Sequence, residues 1–208
     1  VSFRAIWIDA GNDADYAKLA RYGIDRPYFD IRDPRVTQQY LLEVHARGFK
    51  PGVYAAWNWP EAGKTGPSFA SWLSAALEAV APSSASTFPT VCVDIELHSP
   101  AYVLAFLKRW RELRPARVTD WTLEGFQGGL FSPLDTLAIA RANVRIIAQL
   151  YTGSMAPLAA DRVALDLVLH SFPPARIFGF YDAATLTPEP GAEPSRWEGY
   201  AFTQGRLP

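Results

Sequence analysis

The chain has 208 residues, near the lower limit for a full eight-fold barrel and long for most other single-domain folds. Its formal net charge of -1 leaves no electrostatic footprint for nucleic acid or an acidic membrane surface. The single cysteine excludes an internal disulfide and a thiolate metal cluster, and Cys92, set in the apolar run Pro89-Thr-Val-Cys-Val, reads as a small core residue.

Hydrophobic residues make up 49% of the chain and charged residues 20%, enough apolar material for one core, and neither a linker nor a low-complexity tract breaks the chain. One domain over residues 1–208 is expected. No apolar run approaches the length that spans a bilayer. The opening Val1-Ser-Phe-Arg shows no charged segment followed by an apolar one, so a signal peptide is not expected.

In chain order, short β-branched or aromatic runs alternate with longer amphipathic segments. A strand at Arg4–Asp9 precedes a helix at Asp13–Tyr22. A strand at Pro27–Ile31 precedes a helix at Pro34–Ala46, closed by the stop signal Arg47-Gly48. The third strand, Lys50–Ala56, opens into a long loop with Trp57 and Trp59 before a helix at Phe69–Val80. Strand and helix follow again at Thr90–Leu97 and Pro100–Leu113, at Thr119–Gly125 and Pro133–Ala142, and at Arg145–Leu150 and Ala156–His170. A strand at Ala175–Tyr181 leads through a Pro- and Gly-rich connection to a last, weaker strand at Tyr200–Gln204.

Three of these helices are expected to begin with an oxygen-bearing cap and a proline: Asp33-Pro34, Ser99-Pro100 and Ser132-Pro133. Repeated just after strands, that signal marks a strand-to-helix unit. Eight such strands with right-handed crossovers leave a closed barrel or an open doubly wound sheet. No glycine-rich phosphate loop follows the first strand. The expected fold is therefore α/β, a single (β/α)8 barrel.

Ligands of such a barrel bind at the carboxyl ends of its strands. The polar residues at those ends are Asp9, Asp30, Asp94 and Glu96, Glu124, Gln149 and Tyr151, Tyr181 and Asp182, and Gln204. In Val91-Cys-Val-Asp-Ile-Glu-Leu, Asp94 and Glu96 stand two apart, on one face of a strand, with Cα atoms roughly 6.5–7 Å apart. Like-charge repulsion and burial should keep one acid of such a pair protonated beside an ionised partner, which is what glycosidic-bond cleavage needs. The competing assignment is a structural ion pair with arginine, a common use of buried barrel acids. Trp57 and Trp59 suit a sugar-stacking platform and equally an ordinary loop-packing role.

The Asp-x-Glu of the fourth strand, the Asp closing the first (Trp7-Ile-Asp-Ala-Gly), and the runs Lys50-Pro-Gly-Val-Tyr and Ile147-Ala-Gln-Leu-Tyr resemble the lysozyme-type muramidases of glycoside hydrolase family 25. The resemblance implies Glu96 as general acid, with Asp94 and Asp9 as supporting carboxylates. Tyr28-Phe-Asp-Ile-Arg departs from that family, whose second strand usually carries a lysine. The segment Trp121-Thr-Leu-Glu-Gly-Phe-Gln-Gly-Gly is instead similar to glycosidase-like barrels within minor tail proteins of phages infecting actinobacteria. Those resemblances imply a polysaccharide or cell-wall glycan as partner, neighbouring subunits of a virion tail, and action at the bacterial surface.

Three functions follow in order. The first is a glycoside hydrolase using Glu96, Asp94, Asp9 and Glu124, with Asp30, Trp57, Trp59, Gln149, Tyr151, Tyr181, Asp182 and Gln204 lining the substrate. The second is a non-catalytic carbohydrate-binding or structural module. The third is a metal-dependent hydrolase with Asp9, Asp30 and Asp94 around a hard cation. No histidine pair has metal-ligand spacing, so neither a zinc site nor another cofactor is expected.

Overall fold

The computed structural model describes residues 3–21, 23–81, 88–95 and 99–115, together with the strands at 119–124, 144–149, 177–182, 187–188 and 199–202. Within it, β2 (Arg26–Asp30) and β3 (Gly52–Ala56) are buried at every position. A strand covered on both faces is the mark of a parallel sheet enclosed by helices.

The strand order confirms the enclosure. β1 (Phe3–Ile8), β2, β3, β4 (Thr90–Asp94), β5 (Thr119–Glu124), β6 (Val144–Gln149), β7 (Ile177–Asp182) and β9 (Gly199–Phe202) pair in parallel. The ring closes where β9 pairs with β1. A two-residue strand, β8 (Thr187–Pro188), lies antiparallel against β7 outside this ring. Followed once around, the register returns to β1 displaced by eight residues, the shear of a (β/α)8 barrel. The chain is such a barrel.

Alternation along β1 to β4 divides two cores. Ile6, Ile8, Phe29, Val53, Val91 and Val93 join helix residues such as Leu41, Val44, Phe69, Leu73, Phe106 and Trp110 in the outer core. Ala5, Tyr28, Tyr54 and Cys92 pack together inside the barrel, with Trp7 and Trp59 against them. Cys92 is fully buried, as its apolar run predicts. Gly52 makes room for this filling, because a Cβ there would lie 2.5 Å from the Tyr28 ring. The narrow interior thus trades one side chain for an aromatic ring from the neighbouring strand.

Among the described helices, α1 (Tyr16–Arg21), α2 (Gln38–Ala46), α3 (Gly66–Ala76) and α4 (Pro100–Leu113) follow the first four strands. α4 has the expected bounds, and Ser99 caps it by accepting from the Tyr102 amide. α2 stops as expected, with Gly48 at φ 93 after the Arg47 cap. Its start differs. Thr37, not Asp33, caps α2, because the Asp33 carboxylate is taken by Arg35 and the Gly11 amide. α3 begins three residues before the expected Phe69, through a capping box between Thr65 and Ser68. A short 3-10 turn, Leu77–Ala79, prolongs it. The helices expected at 133–142 and 156–170 lie outside the described residues.

Buried Arg114, just past α4, donates to Ser74 Oγ, to the Ser74 and Ala81 carbonyls and to Glu78. It therefore ties the ends of α3 and α4 together and satisfies carbonyls that a helix terminus leaves open. No helix among the described residues is long and apolar enough to cross a membrane.

Candidate active site

Strand tilt sorts the inward residues of a (β/α)8 barrel into layers of four drawn from alternate strands. With the observed register, the layer at the carboxyl mouth takes Asp9 after β1, Ala56 of β3, position Glu124 of β5 and position Asp182 of β7. The next layer down takes Asp30 of β2, Asp94 of β4 and position Gln149 of β6. Below it lie Trp7 and Tyr54, with positions Thr122 and Phe180. Asp9, Asp30 and Asp94 therefore fall in two adjacent layers at one opening, at the register of strand positions Glu124 and Asp182.

The remaining expected positions divide. The side chains of Glu124, Gln149, Tyr181 and Asp182 lie outside the described residues. Glu96, Tyr151 and Gln204 lie outside the described residues. β4 is described as far as Asp94, and since residues 96–98 lie outside the described residues, the spacing expected for Asp94 and Glu96 does too.

Asp9, one residue beyond β1, is exposed, and it accepts a 2.5 Å hydrogen bond from the Tyr54 hydroxyl. Tyr54 is 9% exposed. Burial first, then the bond to Asp9 and the negative charges of Asp30 and Asp9, push its phenol well above the ordinary tyrosine range. The proton therefore stays on Tyr54, which acts as donor.

Asp30 has a different setting. Its side chain is 1% exposed, and the Arg32 guanidinium binds it through Nε to Oδ1 at 3.1 Å and Nη2 to Oδ2 at 2.8 Å. The Arg32 amide adds a third bond, to Oδ1, at 2.9 Å. Hydrogen bonding to Asp30 in turn raises the Arg32 pKa. The two-pronged geometry is the strong form of a carboxylate–arginine pair.

Arg32 also lies 3.5 Å above the Trp59 ring centroid, a cation–π contact. Trp59 packs further against Tyr54 and edge-on against Trp72. One face of this expected sugar platform is therefore occupied by a guanidinium. Trp57 is half-buried against the outer core, and its amide donates to the Asp94 carbonyl at 2.9 Å. Asp94 itself is part-exposed at the end of β4.

A second ion-pair group stands beside the mouth. Asp33 accepts from the Arg35 guanidinium and amide and from the Gly11 amide, and Arg35 also reaches Asp13 and the Asn12 carbonyl. These bonds, the Arg35 side-chain contact foremost, hold the Asp33 carboxyl far below the usual carboxylate range. The loops after β1 and β2 are thereby laced together.

Arg32 and Tyr54 are not among the site residues expected from the sequence. The signal for Arg32 is present in Asp30-Ile-Arg32, where opposite charges stand two residues apart at a strand end. Tyr54 carries a polar tip near the carboxyl end of β3, but its partner is 45 residues away. Among the described residues, no group of three or more His, Cys, Asp or Glu side chains could hold a metal ion.

No protein-family model matches the sequence, and no curated protein sequence matches it significantly. Solved structures do match in shape. Active domain 2 of a thermostable chitinase from Pyrococcus furiosus superposes with a TM-score of 0.63 at 11% identity, covering 97% of this chain and 82% of that one. The tryptophan synthase alpha-subunit of Pyrococcus furiosus gives 0.50 at 13% identity, covering 99% of this chain and 92% of that one. What they share with this chain is the barrel. At such identities the likeness carries fold and no chemistry.

Proposed function

We propose that the chain is a glycoside-hydrolase-type barrel acting on a bacterial cell-surface glycan. The observation that carries this reading is the placement of exposed Asp9 and part-exposed Asp94 in adjacent layers of the carboxyl mouth, beside a wall of Trp7, Tyr54 and Trp59. Carboxylates flanked by flat apolar surfaces suit a sugar ring, whose C–H face stacks while its glycosidic oxygen meets an acid. Two residues past β4, Glu96 is assigned the proton donor to the leaving oxygen. Asp94 and Asp9 stabilise the developing oxocarbenium charge, and Glu124 is the reserve acid. The overall likeness to a chitinase domain adds chitin to the substrates worth offering. The family 25 and phage-tail resemblances point to peptidoglycan or arabinogalactan, and to a place beside other tail subunits.

A specific observation favours the alternative of a non-catalytic binding or structural module. Asp30 is consumed by Arg32, and Arg32 covers a face of Trp59, so part of the mouth is spent on its own architecture. Release of reducing ends from purified actinobacterial cell wall and from chitin separates the readings. Turnover by the parent and none by a folded Glu96→Gln variant supports the glycosidase. Equal turnover by both moves the acid to Glu124. No turnover on any glycan, with or without added divalent cation, leaves the binding module. Activity that a chelator abolishes and a divalent cation restores would instead establish the metal-dependent hydrolase.

A further inference from the structure

Asp9 occupies an exposed position one residue past β1, where backbone pairing no longer restrains a side chain. A carboxylate that must face a developing charge gains from a support on a rigid element. β3 supplies one. Tyr54 is buried, and its neighbours are themselves fixed: the ring lies against Trp59, Trp59 lies under Arg32, and Arg32 is locked to Asp30. The phenol, the indole, the guanidinium and the two carboxylates thus form a connected series running from buried Asp30 to exposed Asp9.

We propose that Tyr54 is a positioning residue, whose hydroxyl orients the Asp9 carboxylate at the barrel mouth by donating a hydrogen bond to Oδ1. The inference rests on the glycosidase reading for the reaction it serves, and on geometry for the contact itself. Tyr54 need not touch the sugar. It hands Asp9 one hydrogen bond and, because burial keeps the phenol protonated, it does not compete for the substrate's protons at neutral pH.

The test combines a stability cycle with steady-state kinetics. Urea unfolding of the parent, Tyr54→Phe, Asp9→Ala and the double variant measures the coupling of the two side chains without any substrate. Kinetics on a glycan that the parent cleaves then compares Tyr54→Phe with the parent. Expected are non-additive losses in the cycle, and a kcat lowered on the order of tenfold by Tyr54→Phe with KM little changed. A merely structural tyrosine would lower the folded fraction but not kcat per folded molecule. Additive losses overturn the proposal, because the bond then does not hold Asp9. Coupling with an unchanged kcat overturns it as well, because orientation then does not matter to turnover. A parent inactive on every glycan ends both the glycosidase reading and the positioning role. Persistent coupling in the cycle would identify that outcome as a failure of the reaction assignment rather than of the contact.

Discussion

Replacing Arg32 by methionine tests whether Asp30 is held for the fold. In the native chain the Asp30 carboxylate, 1% exposed, takes two bonds from the Arg32 guanidinium and one from its amide. Methionine keeps much of the stem but removes both guanidinium donors and the charge above Trp59. Stranding one member of a fully buried ion pair costs about 3–5 kcal/mol. Arg32 is 36% exposed, so water enters part of the vacated space, and the surviving amide bond limits the damage further. The expected loss is about 2–3 kcal/mol of unfolding free energy, or a fall in Tm of roughly 4–12 °C for a domain of this size. Urea denaturation followed by tryptophan fluorescence measures it, alongside Asp30→Asn and the double variant. The double variant should regain more than half the loss, since a neutral amide leaves no stranded charge. A loss below about 0.5 kcal/mol, or a double variant as unstable as the two singles combined, would show that the fold does not depend on Arg32 holding Asp30.

The pH limbs of stability carry two further expectations. Asp33 has a folded pKa far below its unfolded value, so its contribution is present above about pH 4 and is lost as pH falls below that. Asp33→Asn should therefore lower stability at neutral pH by about 1 kcal/mol, since half of Arg35 is in solvent, and should flatten the acid limb in denaturation curves between pH 5 and about pH 2. Tyr54 and Tyr16 titrate above the ordinary phenol value, so the stability they contribute is present below about pH 10 and lost as pH rises past it. Tyr54→Phe should make the alkaline decline shallower, and an unchanged slope would exclude Tyr54 as a source. Finally, a methyl group on Gly66 would run into the Tyr102 carbonyl and the Phe106 amide, both backbone groups of α4. Gly66→Ala should cost about 3 kcal/mol, the upper end for overpacking, and equal stability in a thermal melt would show that α3 can move away.

Local signals were legible in the sequence where local physics decides. Ser99-Pro100 caps α4 where it was expected because the cap and the amide it satisfies are three residues apart. Strand positions emerge from their enclosed apolar runs, and with them the strand-end acids Asp9, Asp30 and Asp94. Asp33-Pro34 carries the same letters as a cap, yet Asp33 caps nothing in α2, because Arg35 and Gly11 claim its oxygens first. That competition joins two loops and has no local signature. The same holds for Tyr54, whose partner is set by the register of β1, β2 and β3 rather than by spacing. Whether a tryptophan offers its face to a ligand is also a matter of tertiary neighbours, and for Trp59 the neighbour is Arg32.

The lacing of Gly11, Asn12 and Asp13 to Asp33 and Arg35 bears on how this mouth could be rebuilt. Barrel enzymes are commonly diversified by exchanging one strand-to-helix loop at a time on an unchanged frame. Here the first two such loops share five residues' worth of charge-assisted and amide bonds. Grafting either one alone would leave Asp33 or Arg35 facing a stranger. The unit of exchange at this corner is therefore the pair of loops, and Asp9, which stands at the root of the first, travels with both.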